Sequence, residues 1–234
     1  CVGRIRYLGV VLYDADRLEE VANLPNDELI EGQRSMILDP HDPEVIKQAR
    51  ANGIQDGVIE SAQMSPVYKM VKVWKIALPP HIEHRTLPML FYVPPLAPVQ
   101  ANKEGDTIDH VSGNLFHDID EARVPMKYFA NLFGAGNEAP VRYALAKQKA
   151  VRWHRRAETV GDVERILADQ MLREADLTAE EAEEIYRITA LCTFEDRFVI
   201  PPMYREQAVE MMKDPQEHKQ TVGFGFSSGP TRGL

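Results

Sequence analysis

Two histidines and a glutamate stand close together in the chain, at His81, Glu83 and His84. Imidazole nitrogens and carboxylate oxygens can bind a divalent transition metal when the histidines share a helical face and a third donor is near. Pro80 precedes these residues and Pro88 follows them, so we expect no stable helix here. The pattern favours a polar loop, and a small metalloenzyme that uses these residues is an alternative.

The chain has two cysteines, Cys1 and Cys192, which are too few for a disulfide framework. Cys192 falls on the apolar face of a predicted helix with Ile185 and Ile188, and we interpret it as a buried core thiol. Cys1 starts the chain without an initiator methionine, so we expect these residues to belong to a longer polypeptide. No serine or cysteine has a recognisable nucleophile motif around it, and the paired glutamates fall on a predicted amphipathic helix.

Basic side chains line one side of a predicted helix that begins at Pro140, at Arg142, Lys149, Arg152 and Arg156. Such a stripe most often indicates a solvated helix face. A docking surface for an acidic partner or for lipid headgroups is a second interpretation. A third is pairing within the fold, because the acidic segment 158–184 follows.

Helix-start residues divide the chain into elements. Side-chain hydrogen-bond acceptors and prolines of the kind found at helix starts predict helices that begin near Asp14, Asp42, Ser65, Pro125, Pro140 and Thr178. The apolar spacing after Ser65 predicts a helix that ends only at Pro79, and residues 5–13 suit a short strand. We therefore predict a mostly α fold, an irregular helical domain with a few short strands and proline-rich extended segments.

Residues 1–222 are predicted to form the domain, with a possible internal boundary in the loop 101–114. The glycine-rich end 223–234 lacks the Gly-Lys-Ser/Thr ending of a phosphate-binding loop, and it predicts a flexible tail.

The composition is that of an ordinary globular protein. The chain has 234 residues, of which 44% are hydrophobic, and its 36 acidic and 27 basic residues give a net charge of −9. The acidic balance argues against general nucleic-acid binding. No apolar stretch approaches the roughly 18 residues that a membrane-spanning helix needs.

Several blocks of sequence, in this order, suggest a known family: Cys1-Val2-Gly3-Arg4-Ile5-Arg6-Tyr7-Leu8-Gly9, Leu38-Asp39-Pro40, Ser65-Pro66-Val67-Tyr68-Lys69-Met70, Arg85-Thr86-Leu87-Pro88-Met89, Tyr92-Val93-Pro94-Pro95-Leu96, Arg156-Ala157-Glu158-Thr159 and Glu195-Asp196-Arg197-Phe198-Val199. They cover nearly the whole chain. Together they resemble the C-terminal domain of the respiratory nitrate reductase beta subunit.

The resemblance implies an iron–sulfur electron-transfer subunit of a membrane-bound oxidoreductase used in anaerobic respiration. In that family a haem-b membrane (gamma) subunit oxidises quinol, and a molybdenum catalytic (alpha) subunit reduces nitrate. The beta subunit carries electrons between these two partners. The resemblance also implies a peripheral position on the cytoplasmic face of the membrane, with no transmembrane segment, no active site and no nucleic-acid partner in this chain.

Cys1 matches the last cysteine ligand of a 4Fe–4S cluster in the family pattern. The other ligands belong to upstream motifs that this chain does not contain, so we expect no cluster in the chain alone. Arg4 and Arg6 follow the ligand directly and could tune the potential of the cluster. Alternatives are a non-redox assembly or interaction module, and the beta subunit of a related molybdenum enzyme that acts on chlorate, selenate, ethylbenzene or dimethyl sulfide.

Overall fold

Helices make up most of the regular structure. The computed structural model describes residues 9–86, 91–94, 119–121 and 124–191. In these ranges the α-helices are α1 (Leu18–Ala22), α2 (Leu29–Met36), α3 (Pro43–Ala51), α4 (Asp56–Met64), α5 (Pro66–Tyr68), α6 (Met126–Phe133), α7 (Ala139–Thr159), α8 (Arg165–Glu174) and α9 (Ala179–Ala190). Short 3₁₀ turns occur at Ala15–Arg17, Ile82–His84 and Ile119–Glu121. Strands β1 (Leu12–Tyr13) and β2 (Ile37–Leu38) pair in an antiparallel sheet. The prediction of a mostly helical fold with short strands is confirmed.

Predicted capping residues begin several of these helices. The side chain of Asp42 accepts a backbone N–H at the start of α3, and that of Ser65 does the same at α5. Thr178 and Glu181 form a reciprocal capping box at α9. Gly53, just after α3, adopts a left-handed φ of 81°. Local sequence chemistry therefore sets these helix ends.

The helix that begins after Ser65 is shorter than predicted. The α-helical turn α5 continues as a π-helix over Lys69–Val73, and the chain then reverses through Lys75 at a φ of 56°. The next three residues, Ile76, Ala77 and Leu78, are all at most 1% exposed. In a continued helix these three successive side chains would point in different directions, and one of them would be exposed. The bend at Lys75 allows all three to be buried.

After the bend, Leu78 and Tyr92 form an isolated antiparallel bridge, with both N···O distances at 2.8 Å. Phe91 and Val93, on either side of Tyr92, are half-buried against the main core. The bridge places Tyr92 in an extended segment that runs up to Pro94.

The main core combines residues from distant parts of the chain. Its members share very low exposure and come from β2, the segment 67–77, α7, α8 and α9: they include Ile37, Met70, Trp74, Val151, Leu172, Ile185 and Ile188. A second cluster joins Leu78 to α6 and α7 through Met126, Val141 and Leu145. Helix α7 contributes to both clusters. Among the described residues, no helix has the length and apolar character to cross a bilayer.

Candidate functional site

Gly9, the first described residue, lies tightly against the start of α5. A Cβ atom added to Gly9 would lie 2.6 Å from Val67 Cγ2 and closer still to Ser65 Oγ. The chain then runs into β1, which is held by its pairing with β2. This close approach fixes the position of Gly9 on the helical body.

His81, Glu83 and His84 converge on one side of a short turn. One potential ligand atom from each lies within 4.8 Å of the other two. Nδ1 of His81 lies 2.9 Å from Oε1 of Glu83, and the two imidazole centroids are 5.7 Å apart. The N–H of His84 donates to the carbonyl oxygen of His81 at 3.1 Å, and this turn brings the two histidines side by side. The residues form a non-α-helical polar turn, as predicted, but one that gathers three metal-binding groups.

The carboxylate of Glu83 is held in its ionised form by its neighbours. Burial raises its pKa, but the hydrogen bond from His81, its own backbone N–H and the two nearby imidazoles outweigh this, so the pKa is lowered. Oε1 receives the hydrogen bond from His81 Nδ1, whereas Oε2 is buried and has no hydrogen-bond partner. One carboxylate oxygen therefore retains its full capacity as an acceptor or a ligand.

Tertiary contacts hold this turn in place. The N–H of His81 donates to the carbonyl oxygen of Leu132 in α6 at 2.7 Å. Ile82 is 2% exposed and packs on α2. The Arg85 guanidinium donates to the carbonyl oxygen of Ala22, at the end of α1, at 2.9 Å. These contacts tie the turn to three helices.

His81 and Arg85 both adopt left-handed backbone conformations, with φ of 49° and 57°. This conformation is uncommon for residues other than glycine, and surrounding structure must stabilise it. The anchors on either side of Ile82 do so here. The local sequence alone gives no indication of the two left-handed residues.

The predicted basic stripe on α7 is largely engaged within the fold. Arg142 donates to Asp120 at 2.7 Å and to Glu138 at 2.9 Å. Its hydrogen bonds with Asp120, followed by those with Glu138, raise the pKa of the guanidinium. The acidic partners precede the helix, although the sequence pointed to the segment after it.

The other members of the stripe are also partly buried. Arg156 pairs with Asp162, which lies in the acidic segment that was predicted to supply partners. The Lys149 ammonium lies 5.9 Å from the centroid of the Trp153 ring. Burial lowers the pKa of Arg152. The stripe is therefore a partly solvated face whose Arg142 and Arg156 form ion pairs, and pairing within the fold is confirmed for Arg156.

A second polar network, which the sequence did not indicate, links α2 to the segment after α5. Arg34 is buried, and it donates to Glu31 at 2.5 Å and to the carbonyl oxygen of Lys75 at 3.1 Å. The Lys72 ammonium donates to the carbonyl oxygens of Arg34 and Ile37 at 2.8 and 2.9 Å. The partners are up to 41 positions apart, so no local pattern could have revealed them.

Three buried polar atoms near this network lack hydrogen-bond partners. They are Tyr13 Oη, Gln33 Oε1 and Arg34 Nε, and their residues line one small cavity. Burial raises the pKa of the Tyr13 hydroxyl to about 12. The network therefore stiffens the fold, although part of its hydrogen-bonding capacity is unused.

Several residues singled out in the sequence lie outside the described residues. They include Cys1, the predicted cluster ligand, and Cys192, the predicted core thiol. The loop 101–114 and the glycine-rich end 223–234 also lie outside. Their roles and the predicted domain division stay predictions.

Comparison with known proteins adds a family to this geometry. The family model described as respiratory nitrate reductase beta C-terminal matches residues 96–179. The chain is 47% identical over 231 residues, 98% of its length, to the respiratory nitrate reductase 1 beta chain of Escherichia coli (strain K12). It is 42% identical, again over 98% of its length, to the nitrate reductase beta chain of Bacillus subtilis (strain 168). The chain is also 41% identical, over 35% of its length, to the chlorate reductase subunit beta of Ideonella dechloratans.

The match is nearly complete for this chain but not for its relatives. It spans 43% of the Escherichia coli protein, 46% of the Bacillus subtilis protein and 21% of the Ideonella dechloratans protein. Along nearly its whole length the chain is similar to respiratory nitrate reductase beta chains, and it includes the C-terminal region that the family model describes.

Proposed function

We propose that this chain is the C-terminal part of the iron–sulfur electron-transfer subunit of a membrane-bound respiratory nitrate reductase. The observation that carries the proposal is the 47% identity to a nitrate reductase beta chain over 98% of the chain. In this role the chain contributes to an oxidoreductase complex and leaves the reduction of nitrate to another subunit.

The cysteine content limits what the chain can hold by itself. A 4Fe–4S cluster is bound by four thiolates, and the chain has two cysteines. The chain alone therefore does not fit a complete cluster. In the proposal Cys1 supplies one thiolate, and the remaining ligands come from elsewhere in the subunit. The cluster, when bound, accepts and passes on single electrons.

The close packing of Gly9 supports the proposal that this domain helps to position the cluster ligand. Gly9, eight positions after Cys1, lies against Ser65 and Val67, so the helical body holds the chain at a fixed point close in sequence to the proposed ligand. Firm placement matters because surrounding groups and solvent exposure tune the potential of a cluster. The domain thus holds one end of the cluster-binding region on a packed scaffold.

The proposed partners are a molybdenum catalytic (alpha) subunit and a haem-b membrane (gamma) subunit, with the chain held at the membrane periphery on the cytoplasmic face. The extent of the similarity supports nitrate as the electron acceptor in this proposal. The Escherichia coli and Bacillus subtilis nitrate reductase relatives match 98% of the chain, whereas the chlorate reductase relative matches 35%.

Single-turnover kinetics on the assembled complex test this function. The complex is isolated anaerobically, its iron–sulfur absorption is bleached with a quinol, and nitrate is then added. We expect rapid reoxidation by nitrate, and loss of quinol-driven bleaching when the haem-b subunit is inhibited. Clusters that nitrate leaves reduced, or that the quinol never reduces, would contradict the proposal and favour an assembly module or a related enzyme.

A further inference from the structure

We propose that His81, Glu83 and His84 form a binding site for a divalent transition metal ion of the Zn²⁺ type. The site is separate from the proposed cluster ligand, because it uses imidazole and carboxylate groups within the helical domain. The inference does not depend on electron transfer. It rests on the convergence of the three side chains, on the free oxygen of Glu83 and on the rigid turn that carries them.

The spacing of the donor atoms suits such an ion. Zinc bonds to nitrogen and oxygen are about 2.0–2.2 Å long, so ligand atoms around a tetrahedral zinc lie about 3.4 Å apart. The three donor atoms here already lie within 4.8 Å of one another. The side chain of His81 is 53% exposed, so small torsional changes can close the remaining gap.

The donor types select the class of metal. Two imidazoles and one carboxylate suit zinc and its neighbours, whereas calcium and magnesium prefer sets made of oxygen ligands. The carboxylate of Glu83 supplies a negative charge, which a dication can neutralise. Three protein donors leave at least one coordination position for water or another ligand, as in open zinc sites.

The unpaired oxygen of Glu83 distinguishes this cluster from a simple hydrogen-bonded pair. The bond between His81 and Glu83 engages Oε1 only, while Oε2 is buried without a partner. A buried acceptor without a partner is unfavourable. Metal coordination by this carboxylate would remove that cost and would also recruit His84, which the pair does not need.

The backbone presents these donors with little freedom. The N–H of His81 is bound to α6, and the adjacent Ile82 is buried against α2. Most of the entropy of ordering the turn is therefore lost on folding and not on binding. A bound ion would in turn restrain both ends of the turn between these helices.

Residue-resolved protection from chemical modification tests the site in the complete polypeptide. The protein is titrated with Zn²⁺, treated with diethyl pyrocarbonate, and its modified histidines are quantified by peptide mass spectrometry. We expect His81 and His84 to become protected together at a single midpoint. His41, which is exposed and lies outside the cluster, stays reactive and serves as the internal control.

Variants identify the ligands. We expect Glu83→Gln to raise the protecting Zn²⁺ concentration by roughly tenfold or more, because loss of a direct ligand should cost at least as much as loss of an outer-shell partner. His81→Asn keeps a residue that tolerates the left-handed conformation, and it should abolish protection of His84. His41→Asn should change neither result.

The proposal is overturned by an absence of protection, by separate midpoints for the two histidines, or by protection that Glu83→Gln leaves unchanged. Circular dichroism of each variant confirms that the fold is retained. The readout is independent of cluster content and nitrate reduction, so its failure is distinguishable from failure of the proposed function.

Discussion

Replacing Gly9 with alanine tests how tightly Gly9 packs on the helical body. The new Cβ would overlap Ser65 Oγ and lie 2.6 Å from Val67 Cγ2. Ser65 is 4% exposed, and its hydroxyl accepts the N–H of Val67 at 3.3 Å as the cap of α5. The methyl group therefore has to displace either this cap or the backbone at Gly9.

The expected cost follows from these contacts. Loss of a serine cap costs about 1 kcal/mol, and overpacking of a tight site costs about 1–3 kcal/mol. The lower entropy of the unfolded chain with alanine in place of glycine offsets about 0.4–1 kcal/mol. We expect the free energy of unfolding to fall by about 1–3 kcal/mol in Gly9→Ala.

Chemical denaturation of a double-mutant cycle measures this effect and its cause. Glycine is tolerated as a helix cap at a cost of a few tenths of a kcal/mol, so Ser65→Gly removes the obstructing hydroxyl with little damage. Gly9→Ala should then cost about 1 kcal/mol less in the Ser65→Gly background than in the wild type. If Gly9→Ala costs the same in both backgrounds, or less than about 0.5 kcal/mol in the wild type, the close packing of Gly9 on Ser65 is refuted.

Three further substitutions test the core, a cap and a buried hydroxyl by the same denaturation assay. Ile185→Ala should cost about 2–5 kcal/mol because the side chain is 0% exposed, whereas Ile166→Ala, at a site 79% exposed, should stay within about 0.5 kcal/mol. Thr178→Ala should cost about 1 kcal/mol through loss of the capping box, and Thr178→Ser should cost much less. Tyr13→Phe should raise the free energy of unfolding by about 1 kcal/mol at neutral pH, because it removes a buried hydroxyl that has no partner. Since burial raises the pKa of Tyr13 from 10.0 to about 12, wild-type stability should fall as the pH rises through that window, and Tyr13→Phe should lack this loss. Equal costs for Ile185→Ala and Ile166→Ala would contradict the burial of Ile185 in the core. Equal costs for Thr178→Ala and Thr178→Ser would contradict the role of the Thr178 hydroxyl as a cap. A Tyr13→Phe protein that is less stable than the wild type at neutral pH would contradict the assignment of the Tyr13 hydroxyl as unpaired.

Helix starts were predictable because they depend on neighbouring residues. The caps at Asp42, Ser65 and Thr178 need only a side-chain oxygen and a backbone N–H two or three positions away. The apolar spacing after Ser65 also identified residues that are buried. It did not reveal that the helix ends early, because the bend at Lys75 is stabilised by the burial of three successive residues in a core formed with distant helices.

The contacts of charged residues were the least predictable part of the fold. Lys72 falls outside the apolar stripe of its segment, yet its ammonium binds two carbonyl oxygens near the end of α2. The His81–His84 turn likewise depends on a hydrogen bond to Leu132 and on left-handed backbone at both ends. Such features arise from tertiary contacts, which override local preference.

The central claim is that Cys1 supplies a thiolate to an iron–sulfur cluster of the complete subunit. Iron and acid-labile sulfide content, together with electron paramagnetic resonance, should be measured on the wild type, on Cys1→Ala and on the matched control Cys192→Ala. We predict that Cys1→Ala loses the signal of one cluster and a corresponding share of iron, while Cys192→Ala keeps the wild-type content and spectrum. Wild-type iron content and an unchanged spectrum in Cys1→Ala would contradict the claim.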